Sequence, residues 1–221
     1  MKKKKSVFST SAWTTVKNKI AVCIPVRDML HSAHALCLAE MVKLNTQNEL
    51  DTEVFMNAST ILLTQREQLA TQAVELGAEY TLWLDSDITF PASLALRLLA
   101  HNEPIVACNY IRRQLPAKGV AYEIIGDWQN PLSFDIHDDL VEVQGVGMGC
   151  MLMKTEIFTQ IPKPWFEFGW SSQSNDYLGE DMLLCQKIAA AGHSVKIDTA
   201  LSHELRHLGT WAYGPELLNK F

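Results

Sequence analysis

The chain's apolar pattern opens on KIAVCIPV, where Ile20, Val22 and Ile24 stand in a short β-branched run that stops at Pro25. Such a run reads as a buried strand. HSAHALCLAEMVKLNT follows with Ala35, Leu38, Ala39 and Val42 at helical spacing, and ELDTEVFMN reads as a second strand. From Thr60 to Leu76 the segment containing ILLTQREQLATQAVEL predicts a helix, and Gly77 stands where a left-handed terminus favours glycine. YTLWLD is the next strand, PASLALRLLAHN a helix opening on proline, and PIVACNYI another strand. Strands alternating with helices predict a doubly wound α/β half whose ligands gather at the carboxyl ends of the strands.

The second half has a different texture. Residues 111 to 141 mix polar turns with short strand-like pieces and read as a mobile or specificity-giving insert. In VEVQGVGMGCMLMKTEIF, Gly145, Gly147 and Gly149 alternate with apolar residues, which suits a strand whose backbone passes close to something. LGEDMLLCQKIAAAGHSVKID predicts a helix from about Glu180 to Ala191, closed by Gly192 and followed by a strand. Residues 1 to 17 have no clear period and read as a loose N-terminal arm.

Composition narrows the class. With 221 residues, 48% hydrophobic and 20% charged, the chain matches a soluble enzyme built on one core. A net charge of −6 leaves no footprint for general nucleic-acid binding outside the Lys2–Lys5 tail. No apolar stretch is long enough for a signal segment or a bilayer span, so a cytoplasmic location is expected. Five scattered cysteines without a CxxC pair predict reduced, mostly buried thiols.

The candidate chemistry starts at LWLDSDITFP, where Asp85 and Asp87 sit one residue apart just past an apolar strand. Two carboxylates so placed repel, which raises the pKa of one unless a cation lies beside them. A hard divalent ion relieves the repulsion, completing its shell with phosphate oxygens and water. The alternative is purely structural, with Asp85 capping the turn and Asp87 preceding the next helix. GED at 179 to 181 opens a helix whose dipole favours carboxylates. His203 and His207, four residues apart, are each a candidate metal ligand or an ordinary core histidine. Arg66 lies on the polar side of its helix; it and Arg112–Arg113 are candidates for anionic phosphates or simple surface charges. Trp165, Phe166 and Trp170 read either as a sugar-stacking wall or as an aromatic core cluster.

Taken in order, IPVRD, TQREQLATQA, LWLDSDITFP, IVACNYIRRQLP, GVGMGCMLMKTEIF, the PWF segment, GED and a late HLG resemble the GT-A glycosyltransferases, particularly the small family 2-like enzymes of bacteria and viruses. The resemblance covers roughly residues 18 to 213. It implies one GT-A domain over 18–221, with a Rossmann-like nucleotide-sugar-binding half at 18–110 built on a mostly parallel sheet. A smaller mixed half at 111–221 would bind the acceptor and carry catalysis. It also implies that Pro25, Arg27, Arg66, Asp85, Ser86 and Asp87 hold a UDP- or GDP-linked sugar. Mn²⁺ or Mg²⁺ would sit on Asp85, Asp87 and His207, with His203 as the alternative third ligand. Asp181 would be the general base and Glu180 would hold the hydroxyls of a glycan or other acceptor. An aspartate in GED leans toward inversion of the anomeric centre.

Two further readings stay open on sequence. DSDIT matches the DxDx[TV] pattern of haloacid-dehalogenase-like phosphatases, in which Asp85 would attack phosphorus and Asp87 protonate the leaving group. Those enzymes place the motif on their first strand, whereas two strand–helix units precede it here. A non-catalytic sugar- or nucleotide-binding module is the other.

Overall fold

The computed structural model describes residues 19–123, 130–137, 139–172, 175–209 and 212–218. The arm expected over 1–17 lies outside the described residues, as does part of the 111–141 insert. In chain order the first half comprises β1 (Lys19–Val26), α1 (Ser32–Gln47), β2 (Asp51–Ala58), α2 (Leu62–Leu76), β3 (Tyr80–Leu84), β4 (Ile88–Thr89), α3 (Leu94–Ala100) and β5 (Ile105–Ala107). Then come β6 (Ala121–Tyr122), β7 (Val141–Val143), β8 (Gly145–Val146), β9 (Cys150–Lys154) and α4 (Ile157–Gln160). The chain finishes with β10 (Gly169–Ser171), β11 (Asp176–Leu178), α5 (Glu180–Ala190), β12 (Val195–Ile197), α6 (Thr199–Ser202), β13 (Arg206–Leu208) and β14 (Ala212–Tyr213).

A seven-stranded sheet in the order β2-β1-β3-β9-β5-β12-β7 forms the centre. β2, β1, β3, β5 and β12 run one way; β9 and β7 oppose them, so the sheet is mostly parallel. Burial follows position. β3 is buried along its whole length and β1 along all but its first residue, whereas the edge strand β2 alternates between half-buried and exposed positions. Central strands covered on both faces read as continuous apolar runs, and an edge strand need not.

Helix boundaries follow backbone chemistry. α2 ends at Gly77, whose φ of 69° lies in the left-handed region that glycine occupies without a Cβ penalty. α3 starts at Leu94 rather than at Pro91, because Pro91 supplies a turn whose carbonyl accepts from the Leu94 N–H at 3.0 Å. All five cysteines are unpaired, and all but Cys37 are buried.

The strand around the glycine triplet departs most from sequence expectation. β9 enters the sheet antiparallel between β3 and β5, pairing Leu84 with Cys150 and Ala107 with Met151. Beside it, β4, β13 and β14 form a small antiparallel sheet that pairs His207 with Ile88 and carries the late histidine next to the DSD turn.

Candidate active site

A cleft of about 280 Å³ opens where three neighbouring parallel strands end. Pro25 and Arg27 line it from β1, Ser59 and Thr60 from β2, and Asp85, Ser86 and Asp87 from β3, with Gln65, Arg113 and His207 completing the wall. Strand ends are where an open α/β sheet presents loops and free backbone groups to a ligand. Five of the six residues expected to hold the nucleotide-sugar therefore share one cavity. Arg66, the sixth, does not line it.

Gln65 ties the ends of β1 and β2 together. Its Nε2 donates to the carbonyls of Asn57 and Ser59 at 2.9 Å each and also reaches the carbonyl of Val26. Nothing in the sequence pattern marked this residue, because its partners are main-chain atoms.

The repulsion anticipated between Asp85 and Asp87 is relieved by splitting them between two cations. Asp85 Oδ1 lies 3.2 Å from Arg66 Nη2, and Asp87 Oδ2 lies 2.9 Å from Arg113 Nη1. Asp87 Oδ1 is also 3.3 Å from His207 Nε2. Burial pushes the Asp87 carboxyl up, but the His207 ring and the Arg113 guanidinium outweigh it and hold the group below the usual carboxylate range. The other His207 nitrogen, Nδ1, faces the Ile111 carbonyl at 3.1 Å. Both groups that face the ring are oxygen acceptors. His203 points elsewhere, its Nε2 being 2.7 Å from the Phe134 carbonyl.

Arg66 requires a correction. The helical pattern put it on the polar side of α2 as a contact for phosphate; it is only 3% exposed and lies under the cleft. Its Nη1 is 3.1 Å from Glu180 Oε1 while its Nη2 meets Asp85, so one guanidinium spans the DSD turn and the GED helix. Burial alone would lower its pKa, yet the fields of Asp85, Glu180 and Asp181 keep it charged. Glu180 is correspondingly buried, at 7% exposure.

Asp181 is the most perturbed carboxylate. Burial, reinforced by Glu180 and Asp85 and opposed by Arg66, pushes its pKa up to about 6. Its Oδ1 accepts from the Met182 N–H at 2.8 Å.

Gly149 explains part of the glycine spacing. The Asp85 N–H donates to the Gly149 carbonyl at 3.0 Å, and a Cβ on Gly149 would stand 2.6 Å from Tyr110 Oη and 2.7 Å from Asp85 Oδ2. The backbone comes this close because nothing projects from it. Tyr110 Oη accepts from the Gly149 N–H at 3.1 Å, and the Tyr110 ring meets His207 edge to face. Sequence reasoning missed Tyr110, and with NYI reading as a strand it carried no signal beyond core packing.

The three aromatics, read either as a sugar-stacking wall or as a core cluster, divide. Trp165 and Phe166 are buried and pack with Trp83 and Phe158, and Trp165 Nε1 donates to the Phe158 carbonyl at 2.8 Å. Trp170 is 58% exposed on the β10–β11 hairpin and meets Tyr177 edge to face.

Among the described residues, no group of three His, Cys, Asp or Glu side chains gathers as a metal site. None of the described helices is long and apolar enough to cross a membrane.

No family model and no curated protein sequence matches the chain. Among solved structures, A197 from STIV superposes with a TM-score of 0.58 at 18% identity, over 90% of this chain and 91% of that one. A glycosyltransferase involved in glycosylating the major capsid of PBCV-1 gives a TM-score of 0.35 at 14% identity, over 66% and 69% of the two chains. The chain thus shares its fold, along nearly its whole length, with A197 from STIV.

Proposed function

We propose that this protein is a glycosyltransferase that moves a sugar from a nucleotide-sugar to a hydroxyl acceptor. The observation that carries the reading is the convergence of Pro25, Arg27, Asp85, Ser86, Asp87, Arg113 and His207 on one cleft at the strand ends, with Glu180, the residue before Asp181, joined to Asp85 through Arg66. The ordered resemblance of the sequence to the GT-A enzymes supports the same reading.

Asp87 and His207 suit a divalent cation. Neighbouring ligands of an ion bound at 2.0–2.1 Å lie about 3 Å apart, and Asp87 Oδ1 and His207 Nε2 are separated by 3.3 Å. With Nδ1 donating to the Ile111 carbonyl, Nε2 would be the nitrogen that ligates, the cation standing between it and Asp87. Two protein ligands match the habit of Mg²⁺ and Mn²⁺ of completing the shell with phosphate and water. Such an ion, when bound, would neutralise charge on the departing nucleoside diphosphate.

The chain's own groups do the rest. Arg113 and Arg27 stand at the cleft wall where a diphosphate would lie, and Arg113 has the planar donor set that pairs with phosphate oxygens. Asp85, held by Arg66, lines the cleft and would serve the ribose. Asp181, with a pKa near 6, is largely ionised at neutral pH yet basic enough to take the acceptor hydroxyl's proton as the new bond forms.

A thermal-shift series with UDP-, GDP- and CDP-sugars, each with and without Mn²⁺, tests the proposal, since a ligand that binds only the folded state raises Tm. A metal-dependent rise with one donor, followed by release of its nucleoside diphosphate on adding acceptor, is the expected result. Phosphate release from phosphomonoesters without any nucleotide-sugar effect would overturn it, and sugar binding without transfer would reduce the protein to a binding module.

A further inference from the structure

We propose that Arg66 is a positioning residue that locks the donor carboxylate Asp85 and the GED helix in one fixed relation, with Glu180 as its anchor on the helix rather than as a group that meets the acceptor. The catalytic consequence rests on the transferase reading; the geometry does not.

The argument starts from cost. A guanidinium 3% exposed is expensive to bury, and it stays only where carboxylates compensate it. Arg66 has two, and they come from opposite sides of the site: Asp85 beyond the end of β3, at 3.2 Å, and Glu180 in the first turn of α5, at 3.1 Å. Among the described residues no other ion pair joins the DSD turn to α5. The two carboxylates stand on different nitrogens of one planar group, so their separation is set by a rigid frame. Arg66 Nε and Nη1 are both buried without a hydrogen-bond partner among the described residues, so Nη1 meets Glu180 as a charge pair rather than through a hydrogen bond, and only Nη2 donates, to Asp85. The side chain is placed between two charges.

Asp181 follows Glu180 on the same helix, so whatever fixes Glu180 fixes the base candidate. Glu180 also has little surface left for an acceptor: it is 7% exposed, and one of its oxygens faces Arg66. The charged and titratable groups whose fields act between Asp181 and its surroundings are Glu180 and Cys185 on α5, Arg66 on α2, Asp85 after β3 and Tyr110 after β5. Arg66 is the only cation among them. It therefore has two separable effects, a geometric one exerted through Glu180 and an electrostatic one exerted on Asp181.

Three variants of the full chain separate them. Arg66→Gln removes charge and frame, Arg66→Lys keeps the charge on a group that cannot span both carboxylates, and Glu180→Gln removes the anchor. The side-chain ¹³C titration of Asp181, identified by its loss in Asp181→Asn, is followed in each, with kcat and donor KM measured on UDP-glucose or GDP-mannose, whichever raises Tm. In Arg66→Gln the Asp181 midpoint moves up. In Arg66→Lys it stays near wild type while kcat falls roughly 10²-fold, the scale of an ångström-sized misplacement, and donor KM rises as Asp85 loses its lock. Glu180→Gln lowers kcat similarly, and the Arg66→Lys/Glu180→Gln double variant is no worse than either single one.

An unmoved midpoint in Arg66→Gln, or losses that multiply in the double variant, would overturn the proposal. Should Arg66→Gln fail to fold, the double-variant cycle decides alone. If no nucleotide-sugar binds or reacts, the transferase reading falls, and the cycle is read on unfolding free energies by urea denaturation instead, where non-additive losses uphold the coupling and additive ones overturn it, so the two failures are distinguishable.

Discussion

His207 holds Asp87 and the Ile111 carbonyl at its two ring nitrogens, with Nε2 3.3 Å from Asp87 Oδ1 and Nδ1 3.1 Å from the carbonyl oxygen. One ring thereby ties the DSD turn to the segment after β5. Its neighbour in sequence, His203, has no part in this arrangement. Asp87→Ala and His207→Ala should each weaken Mn²⁺-dependent nucleotide binding at least tenfold, on the scale found when metal-site partners are lost. His203→Ala should leave it unchanged. Calorimetric titration of UDP or GDP with and without Mn²⁺ checks this, and equal affinities for wild type and Asp87→Ala would refute the assignment.

Asp181 gives a pH dependence with a definite sign. Its pKa is raised to about 6 in the folded protein, above the ordinary carboxylate value, so the folded state holds the proton more tightly than the unfolded one. The charged form therefore costs stability: the penalty is absent below about pH 4, grows through the interval up to about 6, and is complete above it. Asp181→Asn should raise stability by on the order of 2 kcal/mol at pH 7.5, and the gain should vanish toward pH 4. Urea denaturation at several pH values reads it. Turnover should fall as pH drops through about 6, because the base becomes protonated.

Gly149→Ala is expected to disturb the site more than its size suggests. The added methyl would fall 2.6 Å from Tyr110 Oη, 2.7 Å from Asp85 Oδ2 and 2.7 Å from Ile88 Cδ1. Overpacking of this kind costs about 1–3 kcal/mol, and here the groups that must yield include Asp85. Lower denaturation midpoints together with weaker donor binding are expected; a loss of stability alone would mean that Asp85 does not contact the donor.

The tryptophans should separate cleanly. Trp165→Ala removes a buried ring from the Trp83–Phe158–Phe166 cluster and should cost about 3–5 kcal/mol. Trp170→Ala, on the exposed hairpin, should fall within about 0.5 kcal/mol of wild type. Chemical denaturation of both variants decides it.

What could be read from the sequence follows a physical divide. β1, β3, α2 and the Gly77 terminus were legible because local pattern fixes them: continuous apolar runs, helical spacing, a left-handed stop. The cleft at the strand ends was legible too, since an α/β alternation dictates where ligands go. Arg66 was not. On a helical wheel it is simply a charge on the polar side, and only the carboxylates of Asp85 and Glu180, far away in sequence, turn that side into an interior. The aromatic triplet stayed undecided for a similar reason, because Trp165 and Trp170 differ in what packs over them and not in composition. Nor did any local signal give β9 its direction, since its partners β3 and β5 both precede it in the chain.

That insertion has a consequence for how the chain comes into being. Until residues 150 to 154 have been synthesised, β3 has β1 on one flank and nothing on the other, and a largely apolar strand with an open ladder is a template for pairing with other chains. A ribosome-bound or truncated product ending near residue 110 should consequently be aggregation-prone, and the nascent protein passes through a vulnerable interval that closes only when its late strand arrives.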